Sequence, residues 1–258
     1  MKKIIKILSV PIFSTIRKII KFAIVAKEVF KKNCLPEELI NKTPPLNPYQ
    51  DFYAYYQYIE DKKKSSYNHF RKYFNDAIFL NPEDTKIHAI KKATENDIEN
   101  QLYYLEFGVW YGISANMLAK YLKTNLYGFD SFEGLKEDWP GYHHTKGSYS
   151  LQGKIPELAS NVIPIKGWFQ DTLAKFLNEK KPKINFVHMD CHNYESTKFV
   201  LKNIKPYLNK KSIITFHELH NVEGWDVCDY KALTETFNEN EYKFIAFSKH
   251  TQATIQII

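Results

Sequence analysis

Leu105-Glu-Phe-Gly-Val-Trp-Tyr-Gly-Ile-Ser114 is the stretch on which the fold turns. The apolar run from Tyr103 to Phe107 halts at Gly108, and past Gly112 the spacing becomes helical over Ala115 to Leu122. A strand that passes into a helix through two glycines makes a tight loop whose backbone a ligand can approach. The alternation continues outward: Leu126 to Phe129; Val162 to Ile165, then the helical Leu173 to Leu177; Asn185 to Met189, then Thr197 to Tyr207; Ser212 to Phe216. Short apolar runs alternating with helical patterns describe a mostly parallel sheet wrapped by helices, an α/β fold. After a helix around Tyr230 to Asn238, the runs Tyr242 to Ser248 and Gln252 to Ile258 lie only a few residues apart. They predict an antiparallel C-terminal hairpin at the sheet edge.

In such a sheet ligands bind beyond the carboxyl ends of the strands. All nine glycines lie between Gly108 and Gly224, and none falls in the first 107 residues, where ordinary usage gives roughly seven. The first strand end, at Glu106 and Gly108, is not Gly-x-Gly-x-x-Gly, which argues against a nicotinamide dinucleotide. Tyr127-Gly-Phe-Asp-Ser-Phe-Glu-Gly-Leu135 ends the second strand on Asp130, an acid placed to grip the hydroxyls of a ribose. Gly167-Trp-Phe-Gln-Asp-Thr-Leu173 adds an aromatic wall at Trp168 and, at Asp171, a carboxylate able to accept from an exocyclic amine.

Of 258 residues, 44% are hydrophobic and 16% aromatic, which excludes a disordered chain. Cys34, Cys191 and Cys228 are too scattered for a disulfide framework and read as reduced thiols of a cytoplasmic protein. The formal charge is +7, yet nine of the 36 bases and one of the 29 acids fall within residues 1–33, so the rest of the chain carries a net −1. A neutral body with its bases gathered in one arm excludes a nucleic-acid partner. Residues 1–35 read as a basic amphipathic helical arm, with Ile4, Leu8, Ile12, Ile16 and Ile19 on one side and a break at Pro11. Its longest uncharged run, Ile7 to Ile16, has ten residues where about 20 are needed to cross a bilayer. Such an arm either lies on an anionic membrane surface, making the protein peripheral at the inner face of the membrane, or packs on its own body or on a second subunit of a homo-oligomer. Residues 36–99, opening with Pro36, Pro44, Pro45 and Pro48, read as a linker and an aromatic-rich helical cap over a domain at residues 100–258.

With these motifs in this order, residues 100–258 resemble class I S-adenosylmethionine-dependent methyltransferases, and among them the macrocin-type sugar O-methyltransferases. Met189-Asp-Cys-His-Asn-Tyr-Glu-Ser-Thr197 and Phe216-His-Glu-Leu219 complete the likeness. The resemblance implies a Rossmann-like seven-stranded sheet. It also implies methyl transfer from S-adenosylmethionine to a hydroxyl, of a sugar in a cell-surface glycan or secondary metabolite, or of a small phenolic or polyketide acceptor. By that likeness Glu106, Gly108, Gly112 and Ser114 hold the methionine end of the cofactor and Asp130 the ribose. Ser131, Phe132, Trp168 and Asp171 surround the adenine, and Asp190 also borders the cofactor.

Two departures bear on the chemistry. The family's Asp-x-Asp after the fourth strand is Asp190-Cys191-His192 here, and its acidic pair after the fifth is His217-Glu218. In the family these carboxylates hold magnesium and supply the base, and magnesium prefers oxygen donors, so two imidazoles argue against it. Three readings stay open. In the first, His192 or His217, with Asp190, takes the acceptor's proton without a metal. In the second, Asp190, His192, His217 and Glu218 bind a divalent zinc, iron or manganese ion. In the third, activity is lost and the chain is a noncatalytic scaffold or glycan-binding protein. His188, inside the fourth strand, reads as a hydrogen-bonded core residue, and His143 and His144 as residues of a loop beside an acceptor pocket or in solvent.

Overall fold

The computed structural model describes residues 53–139 and 144–258, so the basic arm, the proline-rich segment and His143 lie outside the described residues. Helix α1 (Tyr53–Phe70) and a 3-10 turn (Arg71–Asp76) lead into β1 (Ile78–Leu80) and α2 (Pro82–Glu95). There follow β2 (Tyr103–Phe107), α3 (Ile113–Ala119), β3 (Leu126–Asp130), β4 (Val162–Lys166), α4 (Phe169–Lys180), β5 (Ile184–Met189) and α5 (Tyr194–Ile204). The chain closes with β6 (Leu208–Phe216), α6 (Asp229–Thr236), β7 (Tyr242–Ser248) and β8 (Ala253–Ile257).

These strands form one sheet in the order β1-β7-β8-β6-β5-β2-β3-β4. Every pairing is parallel except those of β8, which runs antiparallel to both β6 and β7. The expected mostly parallel sheet with its C-terminal hairpin is therefore present, with two additions. Because β8 inserts between β7 and β6, β7 runs in the same direction as the parallel strands. The sheet has eight strands rather than seven, because Ile78–Leu80 pairs along β7 and takes the edge. Three residues are too few for a periodicity to reveal.

Residues 54–258 form one compact unit, which includes the segment before residue 100. The segment before it supplies β1, and α2 buries Thr85, Ala89, Ile90 and Ala93 against the sheet. Of the aromatic-rich stretch, only the carboxyl end covers the core. Phe70 is fully buried, with the rings of Trp225, Tyr230, Phe244 and Phe247 at 4.8–6.0 Å, while Tyr53, Tyr55, Tyr56 and Tyr67 stay exposed.

Strand alternation sorts the interior into two layers. Leu105, Phe107, Val187, Met189, Ile214 and Phe216 face the layer of α4, α5 and α6. Tyr104, Phe186 and Ile213 face α2 and α3, and Glu106 and His188 share their side by the same alternation. Each large apolar side chain so buried contributes about 1.5–3 kcal/mol. All six residues of β5 are buried, as a central parallel strand requires, and two of them, Asn185 and His188, are polar. The β2–β5 register sets Glu106 directly beside His188, which brings an acid against an imidazole in the middle of the sheet.

Candidate functional site

Five strand ends, those of β2 through β6, open onto a cavity of about 350 Å³. Gly108, Ser114, Asp130, Ser131, Trp168, Asp190, His192, His217 and Glu218 all line it. These nine sequence-selected residues from separate loops thus meet in one place, on the side of the sheet where open α/β folds bind ligands.

Gly108 is a glycine for a reason beyond ligand approach. It stands at φ +90°, and a Cβ there would lie 2.1 Å from the Asp190 carbonyl oxygen. The loop after β2 therefore rests on the loop after β5, and a side chain at 108 would push the two apart. Asp130 staples a second pair of loops. Its Oδ2 accepts the backbone N–H groups of Val109 and Trp110, both at 2.8 Å, and its Oδ1 accepts that of Phe132 at 2.7 Å. A carboxylate offers about four acceptor positions, so about one remains for a ligand hydroxyl. At the third strand end the Lys136 ammonium sits 5.6 Å over the Trp168 ring.

Four sequence-selected residues lie off the cavity wall. Glu106 is wholly buried behind it, its Oε1 accepting from Ser114 Oγ at 2.5 Å and from His188 Nδ1 at 2.7 Å. Gly112, at φ +76°, is the N-cap of α3. Phe132 is buried with the α2–α3 layer, and Asp171 is exposed in the first turn of α4, where an acid favours the helix N-terminus.

Asp190 stands between two imidazoles, with His192 Nδ1 3.5 Å from Oδ1 and His217 Nδ1 3.4 Å from Oδ2. These contacts are too long or misdirected for hydrogen bonds, and Asp190 Oδ1 and His217 Nδ1 are buried without a partner. Burial alone would raise the Asp190 carboxyl, but the imidazoles of His217, His192 and His188 and the Lys86 ammonium outweigh it and hold it below the ordinary range. Burial, opposed by the charge of Asp190, pushes His217 down to about 4. Burial first, then Asp190 and Asp229, pushes Glu218 up to about 8. Near neutral pH Glu218 is therefore largely protonated and His217 largely uncharged.

Residues that the sequence did not mark also enter the site. Lys86 reaches the cavity from α2, in the segment read as a cap. Tyr149 stacks on the His192 ring at 4.7 Å, and Trp139 approaches the same ring at 4.9 Å. His144 bonds the Tyr149 hydroxyl rather than standing in solvent. Tyr149 and His192 hold φ of +67° and +65°, a left-handed backbone costing about 1–3 kcal/mol at each non-glycine residue. His188, read as a core residue, is fully buried and bonded to Glu106 as expected. Its Nε2 nevertheless has no partner, and among the described residues His188, Asp190 and His217 form the metal-competent group. His192 and Glu218 are not in that group. Two imidazoles in place of carboxylates do not suit magnesium, which selects oxygen donors.

Residues 105–219 match a family model described as a methyltransferase domain. No curated protein matches the sequence. Among solved structures, the calicheamicin methyltransferase CalS11 superposes with a TM-score of 0.55 and 19% identity, over 67% of this chain and 78% of that one, and shares the fold. The O-methyltransferase NovP gives a TM-score of 0.49 and 18% identity over 68% and 78%. An O-methyltransferase from Bacillus cereus, in complex with SAH, gives 0.41 and 13% over 78% and 89%. Residues 105–219 thus match the model of a methyltransferase domain, and the sheet that carries them has the fold shared with CalS11.

Proposed function

We propose that this chain is an S-adenosylmethionine-dependent methyltransferase that acts on oxygen, at the hydroxyl of a sugar or sugar-bearing metabolite. The observation that carries the reading is the Asp190–His192 pair in the wall of the cofactor cavity. A neutral hydroxyl is a weak nucleophile until its proton is drawn away. His192 turns Nδ1 toward Asp190, which leaves Nε2 to take that proton, and the imidazolium so formed then stands against a carboxylate. Tyr149, stacked on the ring, fixes its plane. His217, uncharged and on the other side of Asp190, adds no competing charge.

The cavity residues suit the cofactor. Ser114, Asp130, Ser131 and Trp168 would hold S-adenosylmethionine, which when bound supplies an electrophilic methyl group on a sulfonium. The Ser114 hydroxyl donates its hydrogen bond to Glu106, so its oxygen is left to accept from a ligand amine. The sugar acceptor is supported by the motif resemblance to macrocin-type enzymes and by the fold shared with CalS11, a calicheamicin methyltransferase. The basic charge of residues 1–33 supports a place on anionic lipid. Flotation of the full chain with anionic but not neutral vesicles, reversed by salt, is the expected result.

Isothermal titration of S-adenosylmethionine into the full chain tests the cofactor site. Release of S-adenosylhomocysteine is then followed with nucleotide-activated sugars, free glycans and phenols. Turnover confined to sugars supports the proposal, and turnover confined to phenols overturns its acceptor. A folded chain that binds no cofactor removes the whole reading and leaves a scaffold.

A further inference from the structure

We propose that His188, Asp190 and His217 bind a divalent transition-metal ion in a two-histidine, one-carboxylate site that draws on the interior of β5 rather than on the His192 that the sequence nominates. The site stands whether or not the acceptor is a sugar. One donor atom from each of the three lies within 4.8 Å of the others. His188 Nε2, Asp190 Oδ1 and His217 Nδ1 are all buried with no partner. Leaving a buried polar atom unpaired costs about 1–3 kcal/mol, and three such atoms on residues that cluster this closely call for a common partner.

His188 is oriented for the task. Its Nδ1 bonds the Glu106 carboxylate at 2.7 Å, which places the lone pair on Nε2, and Glu106 is itself fixed by Ser114. A carboxylate behind a histidine is the usual support of a metal-bound imidazole. The backbones that carry the other two donors are pinned to neighbouring strands, Asp190 N–H to the Phe107 carbonyl at 2.8 Å and His217 N–H to the Met189 carbonyl at 2.9 Å. Lys86 lines the cavity, yet among the described residues no lysine or arginine comes within ion-pair distance of Asp190. Two imidazoles and one carboxylate select zinc, iron, manganese or cobalt over magnesium, and three protein ligands leave open positions for an oxygen ligand.

Cobalt(II) is the probe. The untagged full chain, stripped with chelator and then titrated, is expected to develop visible d–d absorption with one ion per chain, displaced by zinc and unaffected by magnesium. His188→Asn, which keeps a donor toward Glu106 but removes Nε2, is expected to weaken cobalt binding about 100-fold, as is His217→Gln, while His192→Gln and Glu218→Gln change it about twofold at most. If His188→Asn does not fold, loss in His217→Gln with retention in His192→Gln and Glu218→Gln supports the same ligand set. A folded protein that shows no d–d bands overturns the proposal and leaves water among these atoms. Loss of binding in His192→Gln or Glu218→Gln, with retention in His188→Asn, overturns it in favour of the shallower set.

Discussion

The two ends of β5 treat buried polarity in opposite ways. At the amino end, Asn185 Nδ2 donates to the Ala93 carbonyl at 2.6 Å and to Tyr104 Oη at 3.3 Å. Tyr104 in turn donates to Asp97, whose carboxylate also takes the N–H groups of Gln101 and Leu102. Three residues on, His188 begins a chain of contacts through Glu106, Asp190 and His217 that does not close. Of the seven unpaired buried side-chain atoms among the described residues, none belongs to the Asn185 network and five belong to Glu106, His188, Asp190, His217 and Glu218. A closed network stabilises the sheet, whereas an open one weakens it and persists where a ligand completes it. The same strand therefore serves as frame at one end and as site at the other.

The largest expected effect is chemical. His192→Ala is expected to lower kcat by about 10²- to 10⁴-fold, with cofactor affinity in titration changed by no more than about twofold. A kcat within tenfold of the parent would move the base elsewhere and remove catalysis from the open end. Next comes pH. His220 is buried, its Nε2 against the Gln252 carbonyl, and burial pushes it down to about 4 from 6.5. Its contribution to stability is full above about pH 6.5, because below that the unfolded chain takes up a proton that the fold refuses, and it is lost as pH falls toward 4. The shift is worth about 3 kcal/mol. Asp229, raised to about 7 chiefly by burial, acts in the opposite sense over an overlapping range. The difference in urea-unfolding free energy between the parent and His220→Gln, followed from pH 7 to 4, isolates the histidine, and parallel curves would refute the assignment. Gly108→Ala follows. With φ +90° and a contact of 2.1 Å to the Asp190 carbonyl, it is expected to cost roughly 2–3 kcal/mol in unfolding and to weaken cofactor binding about tenfold. Unchanged affinity would mean that the β2 and β5 loops do not set each other's position.

Much of this contrast was legible in the sequence. Gly108 after an apolar run, Asp130 at the next strand end and Asp190 with His192 at another are local signals, since glycine and acid are read where strand gives way to loop. The closed network and the role of His188 were not. A histidine flanked by Val187 and Met189 reads as core, and its meaning depends on Glu106, 82 residues away, brought alongside by strand register. Lys86 was missed because it comes from a helix outside the recognisable motifs. Phe132 and Asp171 enter the expected site through the family resemblance, and Asp171 also through its acceptor chemistry. Phe132 turned instead into the α2–α3 layer and Asp171 outward, since a motif fixes the order of residues but not which way a side chain points.

The smallest effect sharpens the comparison most, because it sets two substitutions on one strand against each other. Asn185→Leu removes the buried donor that satisfies the Ala93 carbonyl and Tyr104, and is expected to lower the unfolding free energy by roughly 2–3 kcal/mol. His188→Asn retains a donor toward Glu106 and deletes an atom that had no partner, so in metal-free protein its expected cost stays within about 1 kcal/mol. Urea unfolding of both variants in chelator measures the gap. Equal losses would mean that His188 supports the sheet as Asn185 does, and that the unpaired atoms beside it are filled by solvent. A gap of the expected size that closes when cobalt is added, because the metal stabilises the parent and Asn185→Leu but not His188→Asn, would show that the open network is completed by binding rather than by folding.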